Sequence, residues 1–264
     1  MDDHPLPPFS PRYPPLRRWL RAAEYQLLPG LCLRCALPSG RQLDLCPGCE
    51  SDFAGLGRCC RQCGVPLPST VRCLSQPSAD LCGSCLVDPP AFSRLIAAYR
   101  YEEPLSALVI TAKNHRDLAA AQVLGRLLAA ALIRQLTGQK RPEVLLPVPL
   151  HWRRRLARGY NQALELARPV ARELDIPLAS RLASRTRHLA QQGLGRDERR
   201  RQLHRAFRVN GDVSNRHIAI IDDVVTTTGT VRALSRALMD AGAATVEIWC
   251  LARTPAGAGW RGQP

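Results

Sequence analysis

Lysine is almost missing from this chain: of 264 residues only Lys113 and Lys140 are lysine, against 35 arginines. Cationic contacts must therefore come from guanidinium groups, which suit planar, bidentate binding of phosphate. A GC-rich genome produces the same bias, and composition alone does not separate the two causes. Aromatic residues are also scarce, at 5%. That argues against a single-strand groove built on stacking platforms: Tyr99, Tyr101, Trp152 and Tyr160 are among the few that lie near basic residues. No run of 18 apolar residues occurs, so no membrane insertion is expected. The amino end, Met-Asp-Asp-His-Pro, lacks a basic stretch followed by an apolar core. No secretory signal is expected, and the reading places the protein in the reducing cytoplasm.

What is present is positive charge and cysteine. Lys and Arg number 37 against 22 acids, a net charge of +15 that favours anionic partners. Between residues 141 and 208 there are 16 Arg and 6 acids. One cluster is Arg153, Arg154, Arg155 and Arg158; the other is Arg185, Arg187, Arg196, Arg199, Arg200 and Arg201. The same residues would serve a pyrophosphate group or a nucleic-acid track, and charge does not separate these.

Ten of the 11 cysteines fall between 32 and 85, eight of them as Cys-x-x-Cys pairs: Cys32/Cys35, Cys46/Cys49, Cys60/Cys63 and Cys82/Cys85. In a reducing compartment this spacing points to metal rather than disulfides. A two-residue gap lets both thiolates reach one tetrahedral Zn²⁺, and four such ligands leave no open position, so the zinc is read as structural. Eight ligands make two sites; sequential sets (32/35/46/49 and 60/63/82/85) are simplest, and spacing also permits an interleaved cross-brace. Cys59 and Cys73 are spare, and the lone Cys250 falls in an expected strand as core. With few apolar residues of its own, this segment is expected to fold only with metal.

The stretch around which the chain is organised is His217 to Thr230, H-I-A-I-I-D-D-V-V-T-T-T-G-T. A buried strand ends in two acids and is followed by small hydroxyl and glycine residues that open a helix near Thr230. At the carboxyl end of a strand, residues 226–230 can turn several N–H groups to one point beside the positive end of a helix dipole, which cradles phosphate. Asp222 and Asp223 immediately before it suit vicinal sugar hydroxyls or a hydrated metal ion. Phosphate and diol one short loop apart match a ribose 5-phosphate.

Along the rest of the chain, residues 1–29 read as a proline-rich flexible arm and a short helix (16–28), and 30–90 as the cysteine-rich zinc module. Residues 91–253 read as one α/β domain. It comprises an edge strand near 92–101, a helix from Leu105 toward Lys113, a helix over 117–136 stopped by Gly138, and a strand over 144–149. A helix to about Leu174 follows, kinked by Pro169. Residues 181–208 read as a mobile loop with strand at its ends. Strand 217–221, loop 222–229, helix 230–241 capped by Gly242, and strand 245–251 complete the domain, with a disordered tail over 254–264. Alternating strands and helices predict a mostly parallel sheet covered on both faces.

Several ordered motifs resemble the competence protein F family, which includes proteins of the GntX type. They are Pro147-Val-Pro-Leu150, Arg158-Gly-Tyr-Asn-Gln162, the series Arg185, Gln191, Leu194, Glu198-Arg199 and Ala206-Phe207, then Lys113 and the Asp222–Thr230 stretch. The resemblance covers residues 30 to 252 and implies a cysteine zinc module joined to a type I phosphoribosyltransferase-like domain. It also implies a ligand, phosphoribosyl diphosphate (PRPP) with Mg²⁺, and an association with DNA uptake in natural transformation. By that resemblance Asp222 and Asp223 hold the ribose hydroxyls, and Thr226, Thr227, Thr228, Gly229 and Thr230 the 5-phosphate. Arg158 and Asn161 line the pyrophosphate side with Lys113 nearby, while Arg185, Gln191 and Arg199 belong to a loop that closes over it. Two positions depart from the family: Gln202 replaces a common Asn, and Thr228 stands where Gly is more usual. A positive φ at 228 would strain a β-branched residue.

Two classes of function follow. One is an Mg²⁺-dependent phosphoribosyltransferase, or a PRPP-binding protein, of unnamed acceptor. The other is a non-enzymatic module in DNA uptake or repair that grips single-stranded DNA or a helicase. The fold implied also makes a homodimer an expectation.

Overall fold

The computed structural model describes residues 30–67, 80–114, 117–150, 159–186 and 206–255. The arm and helix expected over 1–29 lie outside these. So do Cys73, the first arginine cluster, Gln191, Gln202, and Arg187 to Arg201 of the second cluster.

Four strands form a parallel sheet: β1 (Arg94–Arg100), β2 (Val144–Pro147), β5 (His217–Val225) and β6 (Thr245–Arg253), in the order β1-β6-β5-β2. β3 (Ala183–Arg185) and β4 (Phe207–Val209) make a separate antiparallel pair, the strand expected at the ends of the 181–208 segment. The two central strands are apolar without alternation, as a sheet covered on both sides requires. Ala219, Ile221, Trp249 and Leu251 face one core, and Ile218, Ile220, Ile248 and Cys250 the other. Cys250 is fully buried, as its expected core role requires.

The helices are α1 (Pro47–Ser51), α2 (Gly83–Val87), α3 (Leu105–Asn114), α4 (Leu118–Gln135), α5 (Gln162–Leu174) and α6 (Gly229–Asp240). α4 begins because the Asp117 carboxylate accepts the Ala120 N–H at 3.0 Å. Past its end stands Gly138 in the left-handed region, φ 73°. Leu124, Leu127, Leu128 and Leu132 along it are fully buried, each worth about 1.5–3 kcal/mol. Among the described residues α4 alone has the length and apolarity of a membrane span, yet it is a core helix here. α5 continues through Pro169 to Leu174, where sequence predicts a kink. The ring is accommodated by Gly125 of α4: a Cβ there would come within 2.8 Å of both Pro169 Cγ and the Leu166 carbonyl oxygen. α3, α4 and α5 thus cover one face of the sheet and α6 the other.

The cysteine-bearing segment packs on both sides of β1. Leu43, Leu45 and Phe53 join the α4 core, with Phe53 edge-on to Tyr99 at 5.6 Å. Val65, Cys60, Cys63 and Cys85 join the α6 core with Phe92 and Leu95. Backbone also pairs with part of each outer strand. Gly55 bridges Tyr99 and Arg100 N–H donates to Ala54 O at 2.9 Å, while Leu145 of β2 bridges Leu178. At the amino end of the sheet Glu247 is buried, with Arg94 and His217 each 3.0 Å from Oε1 and the Trp249 indole N–H donating to Oε2 at 3.0 Å.

Candidate functional site

β5 runs four residues beyond its expected end at 221, because Val224 and Val225 continue to pair with Ala252 and Arg253 of β6. Asp222 and Asp223 therefore sit within the strand's carboxyl end instead of in a loop. The helices that follow adjacent strands β2 and β5 lie on opposite faces, which opens a crevice at those carboxyl ends.

A cavity of about 70 Å³ occupies it, lined by Lys113, Tyr160, Asn161, Gln162, Asp222 and Asp223 together with the 148–150 turn. Four of the residues expected to bind ligand, Lys113, Asn161, Asp222 and Asp223, are thus brought to one pocket. Sequence reading missed how its wall is fixed. Tyr160 donates its hydroxyl to the Ala112 carbonyl, Asn161 Nδ2 donates to Val148 O at 3.1 Å, and Gly159 takes φ 76°. The signal available was the Gly-Tyr-Asn run itself, directly before a helix.

Asp222 is half-buried and lines the pocket. Its carboxyl is held well above the usual carboxylate range, first by desolvation and then by the Asp223 charge beside it; Arg185 counteracts in small part. Arg185 stands on the β3–β4 pair, with its guanidinium carbon 5.4 Å from the Phe207 ring centroid. Arg158, Gln191 and Arg199 lie outside the described residues, so their expected places over the pocket go undescribed.

Thr226 and Thr227 are exposed, and Thr228 is the residue before α6 with φ −76°. The anticipated strain at Thr228 therefore does not arise. α6 begins at Gly229, one residue earlier than expected. The first turn of a helix leaves its leading N–H groups without intrahelical partners. Here Arg232 N–H already bonds to Thr228 O at 2.8 Å, so the unpaired set is that of Gly229, Thr230 and Val231. Two arginines that sequence reading passed over hold this loop: Arg232 Nε donates to Thr228 Oγ1 at 2.9 Å, and Arg253 NH1 to the Val225 and Thr226 carbonyls at 2.9 Å each. Arg232 lies four residues after Thr228 on a helix face, a spacing that could have announced it.

The eight paired cysteines assemble as the sequential sets, Cys32/Cys35/Cys46/Cys49 and Cys60/Cys63/Cys82/Cys85, each with sulfurs within 4.8 Å of one another. Cys35 and Cys46 sulfurs are 3.9 Å apart, and Cys63 and Cys82 sulfurs 3.6 Å. Tetrahedral Zn–S bonds of about 2.3 Å imply separations of about 3.8 Å, so both sets fit a zinc ion. Cys49 N–H donates to Cys46 Sγ at 3.4 Å and Cys82 N–H to Cys60 Sγ at 3.3 Å, contacts that favour thiolate. Burial opposes ionisation of Cys32, but backbone N–H groups around it bring its thiol down to about 6. The same balance leaves Cys60 at about 7. Cys59 is half-buried outside both sets, and burial pushes its thiol up.

A family model described as a phosphoribosyl transferase domain matches residues 161–260. The chain is 39% identical over 231 residues to the DNA utilization protein YhgH of Escherichia coli O157:H7, covering 86% of this chain and 98% of that protein. It is 34% identical over 215 residues to the Competence protein F of Haemophilus influenzae, 79% of this chain and 90% of that protein. The chain belongs to the competence protein F family. Among solved structures it is similar to a purine phosphoribosyltransferase from Pyrococcus horikoshii, at 20% identity and a TM-score of 0.33 over 50% of this chain and 72% of that one. Family membership accounts for the combination seen here: a phosphoribosyltransferase-like parallel sheet with helices, preceded by a cysteine cluster able to bind zinc.

Proposed function

We propose that the chain binds PRPP, or a related ribose 5-phosphate ligand, at the carboxyl end of β5 and transfers the phosphoribosyl group to an acceptor. The observation that carries this reading is the pairing of Asp222 and Asp223 in one pocket with Lys113, directly before a Thr-rich turn into α6. In this reading residues 91–253 are the transferase-like domain and 30–90 the zinc-binding unit. The setting is the reducing cytoplasm, which suits the ten described cysteines, all free of disulfides.

The ribose 2′ and 3′ hydroxyls fall to the acidic pair. A carboxyl with raised affinity for its proton, Asp222, donates to one hydroxyl while Asp223 accepts from the other. The 5-phosphate takes the N–H groups at the start of α6 and the hydroxyls of Thr226, Thr227 and Thr230. Asn161, Arg158 and Lys113 face the pyrophosphate, and Arg185, Gln191 and Arg199 close from the 181–208 segment. As the C1–O bond breaks, its electron pair leaves with pyrophosphate, where fixed cations stabilise growing charge. The acceptor then bonds to C1 and gives up a proton. Mg²⁺, bound chiefly through ligand oxygens, would neutralise part of the pyrophosphate charge.

A second reading rests on the arginine-rich segments and on the relatives' names. A single DNA strand, or a DNA-uptake helicase, engages Arg153 to Arg158 and Arg196 to Arg201. Calorimetric titration of the zinc-loaded protein with PRPP and Mg²⁺ separates the two. Saturable micromolar binding, lost in Asp222→Asn/Asp223→Asn, supports the first. Absence of heat from folded wild type, with salt-sensitive DNA affinity, overturns it in favour of the second. Light scattering tests the homodimer.

A further inference from the structure

The two cysteine sites are not equivalent in what they touch. The first packs with Leu43, Leu45 and Phe53 into the core on the α4 side of the sheet. The second shares its core with Val225 and Val231, the residues that flank the Thr-rich turn. Two arginines join that second site to the turn directly. Arg253 is buried at the end of β6. Its Nε donates to the carbonyl of Cys63 at 3.0 Å, and its NH1 donates to the Val225 and Thr226 carbonyls at 2.9 Å each. Arg232, on the first turns of α6, donates through Nε to Thr228 Oγ1 at 2.9 Å. Its NH2 donates to Asp88 O at 2.8 Å, and its NH1 meets Asp88 Oδ2 at 3.2 Å. Asp88 is the C-cap of α2, the short helix that follows Cys82 and carries Cys85. One strut therefore lands on a ligand residue of the first knuckle, and the other on the cap of the second. Between them they grip both ends of the turn, at 225–226 and at 228.

A guanidinium with several donors in a rigid fork transmits position better than a flexible ammonium, since each donor fixes a different backbone group. Carbonyls held this way orient the peptide planes of residues 225–227, and so the N–H groups on their other side. The same contacts explain Thr228: its hydroxyl is the only side-chain handle in the turn that Arg232 takes, and glycine would offer none.

From this we infer that the Cys60/Cys63/Cys82/Cys85 site is the foundation of the 225–230 turn. Metal bound there sets the turn's geometry through Arg253 and Arg232, while the Cys32/Cys35/Cys46/Cys49 site has no such role. Arg253 and Arg232 are positioning residues. The structural part of this inference stands without any ligand; its consequence for affinity rests on reading the turn as the phosphate cradle of PRPP.

Amide hydrogen exchange on the full zinc-loaded chain, without nucleotide, tests it. Arg232→Ala is the principal variant because its side chain is partly exposed and no metal ligand is altered. Exchange across residues 224–231 is expected to rise about tenfold, with zinc content unchanged. Cys82→Ser produces the same loosening of 224–231. Cys35→Ser loosens residues 31–53 and leaves 224–231 at the wild-type rate. Arg253→Lys, which keeps charge but loses the fork, gives an intermediate rise. Wild-type exchange of 224–231 in both Arg232→Ala and Cys82→Ser overturns the inference, as does equal loosening by Cys35→Ser. PRPP titration of Arg232→Ala is a separate readout. If wild type gives no heat with PRPP, the proposed ligand fails while the exchange result still decides the coupling.

Discussion

Asp222 and Asp223 are neighbours on β5, and the Asp223 N–H donates to Asp222 Oδ1 at 2.9 Å. That bond favours the Asp222 carboxylate, yet desolvation and the adjacent charge outweigh it and hold the proton more tightly than in the unfolded chain. The folded state therefore binds more protons than the unfolded state as pH rises above about 4, and stability falls until the raised folded value is passed. Asp222→Asn removes this penalty. Its melting temperature should exceed wild type by a few degrees at pH 7, with the gap closing below pH ~4. Thermal melts across pH 3.5–8 check this; a variant less stable than wild type at pH 7 contradicts it. The same variant keeps a neutral donor at 222 and should bind PRPP nearly as wild type does, whereas Asp223→Asn, which loses the accepting carboxylate, should bind it poorly.

Gly125 and Pro169 set a second expectation. A methyl group at 125 would meet the Leu166 carbonyl oxygen and the Pro169 ring at 2.8 Å, and neither is a flexible side-chain end. Gly125→Ala gains helix propensity but forces α4 and α5 apart. The net effect should be a loss of about 1–3 kcal/mol in urea unfolding, with zinc content intact. Unchanged stability would mean that the helices separate at no cost.

Glu247 receives Arg94, His217 and Trp249 at the opposite end of the sheet from the pocket. Glu247→Gln keeps the shape but turns one of its oxygens into a donor that faces other donors. A cost of about 1–3 kcal/mol is expected, on the scale of an unsatisfied buried group. A change in Trp249 fluorescence should accompany it. PRPP affinity in the folded variant should match wild type.

Zinc itself gives the fourth prediction. Two closed thiolate sets should hold two ions per chain by metal analysis. Binding displaces protons from thiols, and burial pushes those of Cys49, Cys63 and Cys85 up, so affinity should fall continuously as pH drops and most steeply below about 6, where Cys32 is protonated as well. Chelation at pH 7 should unfold residues 30–67 first, because their apolar residues are few. One ion per chain would mean that one set does not bind zinc.

Much of this arrangement is legible in the sequence, and the reason is locality. The cysteine sets are defined by two-residue gaps, and the strand, acids and Thr-rich turn are contiguous. Periodicity alone finds α4. Length of pairing is not local: β5 continues to Val225 because β6 continues to Arg253 beside it. Nor are the arginine struts local, since Arg253 reaches Cys63 and Arg232 reaches Asp88 across 190 and 144 residues. Thr228 shows a converse case, where family comparison suggests strain and φ of −76° removes it. Thr254, expected as the start of a loose tail, is buried and donates its N–H to Val225 O at 3.2 Å, because the chain is still bound to β5 there.

The partial coverage of both outer strands carries a consequence for assembly. Among the described residues, 54–55 pair with the carboxyl end of β1 and 177–179 with Leu145 of β2. A second copy that added a strand at either flank would first have to displace these segments. The readier route to self-association runs through side chains, and a dimer built that way would be open to dissociation by point substitution and by salt.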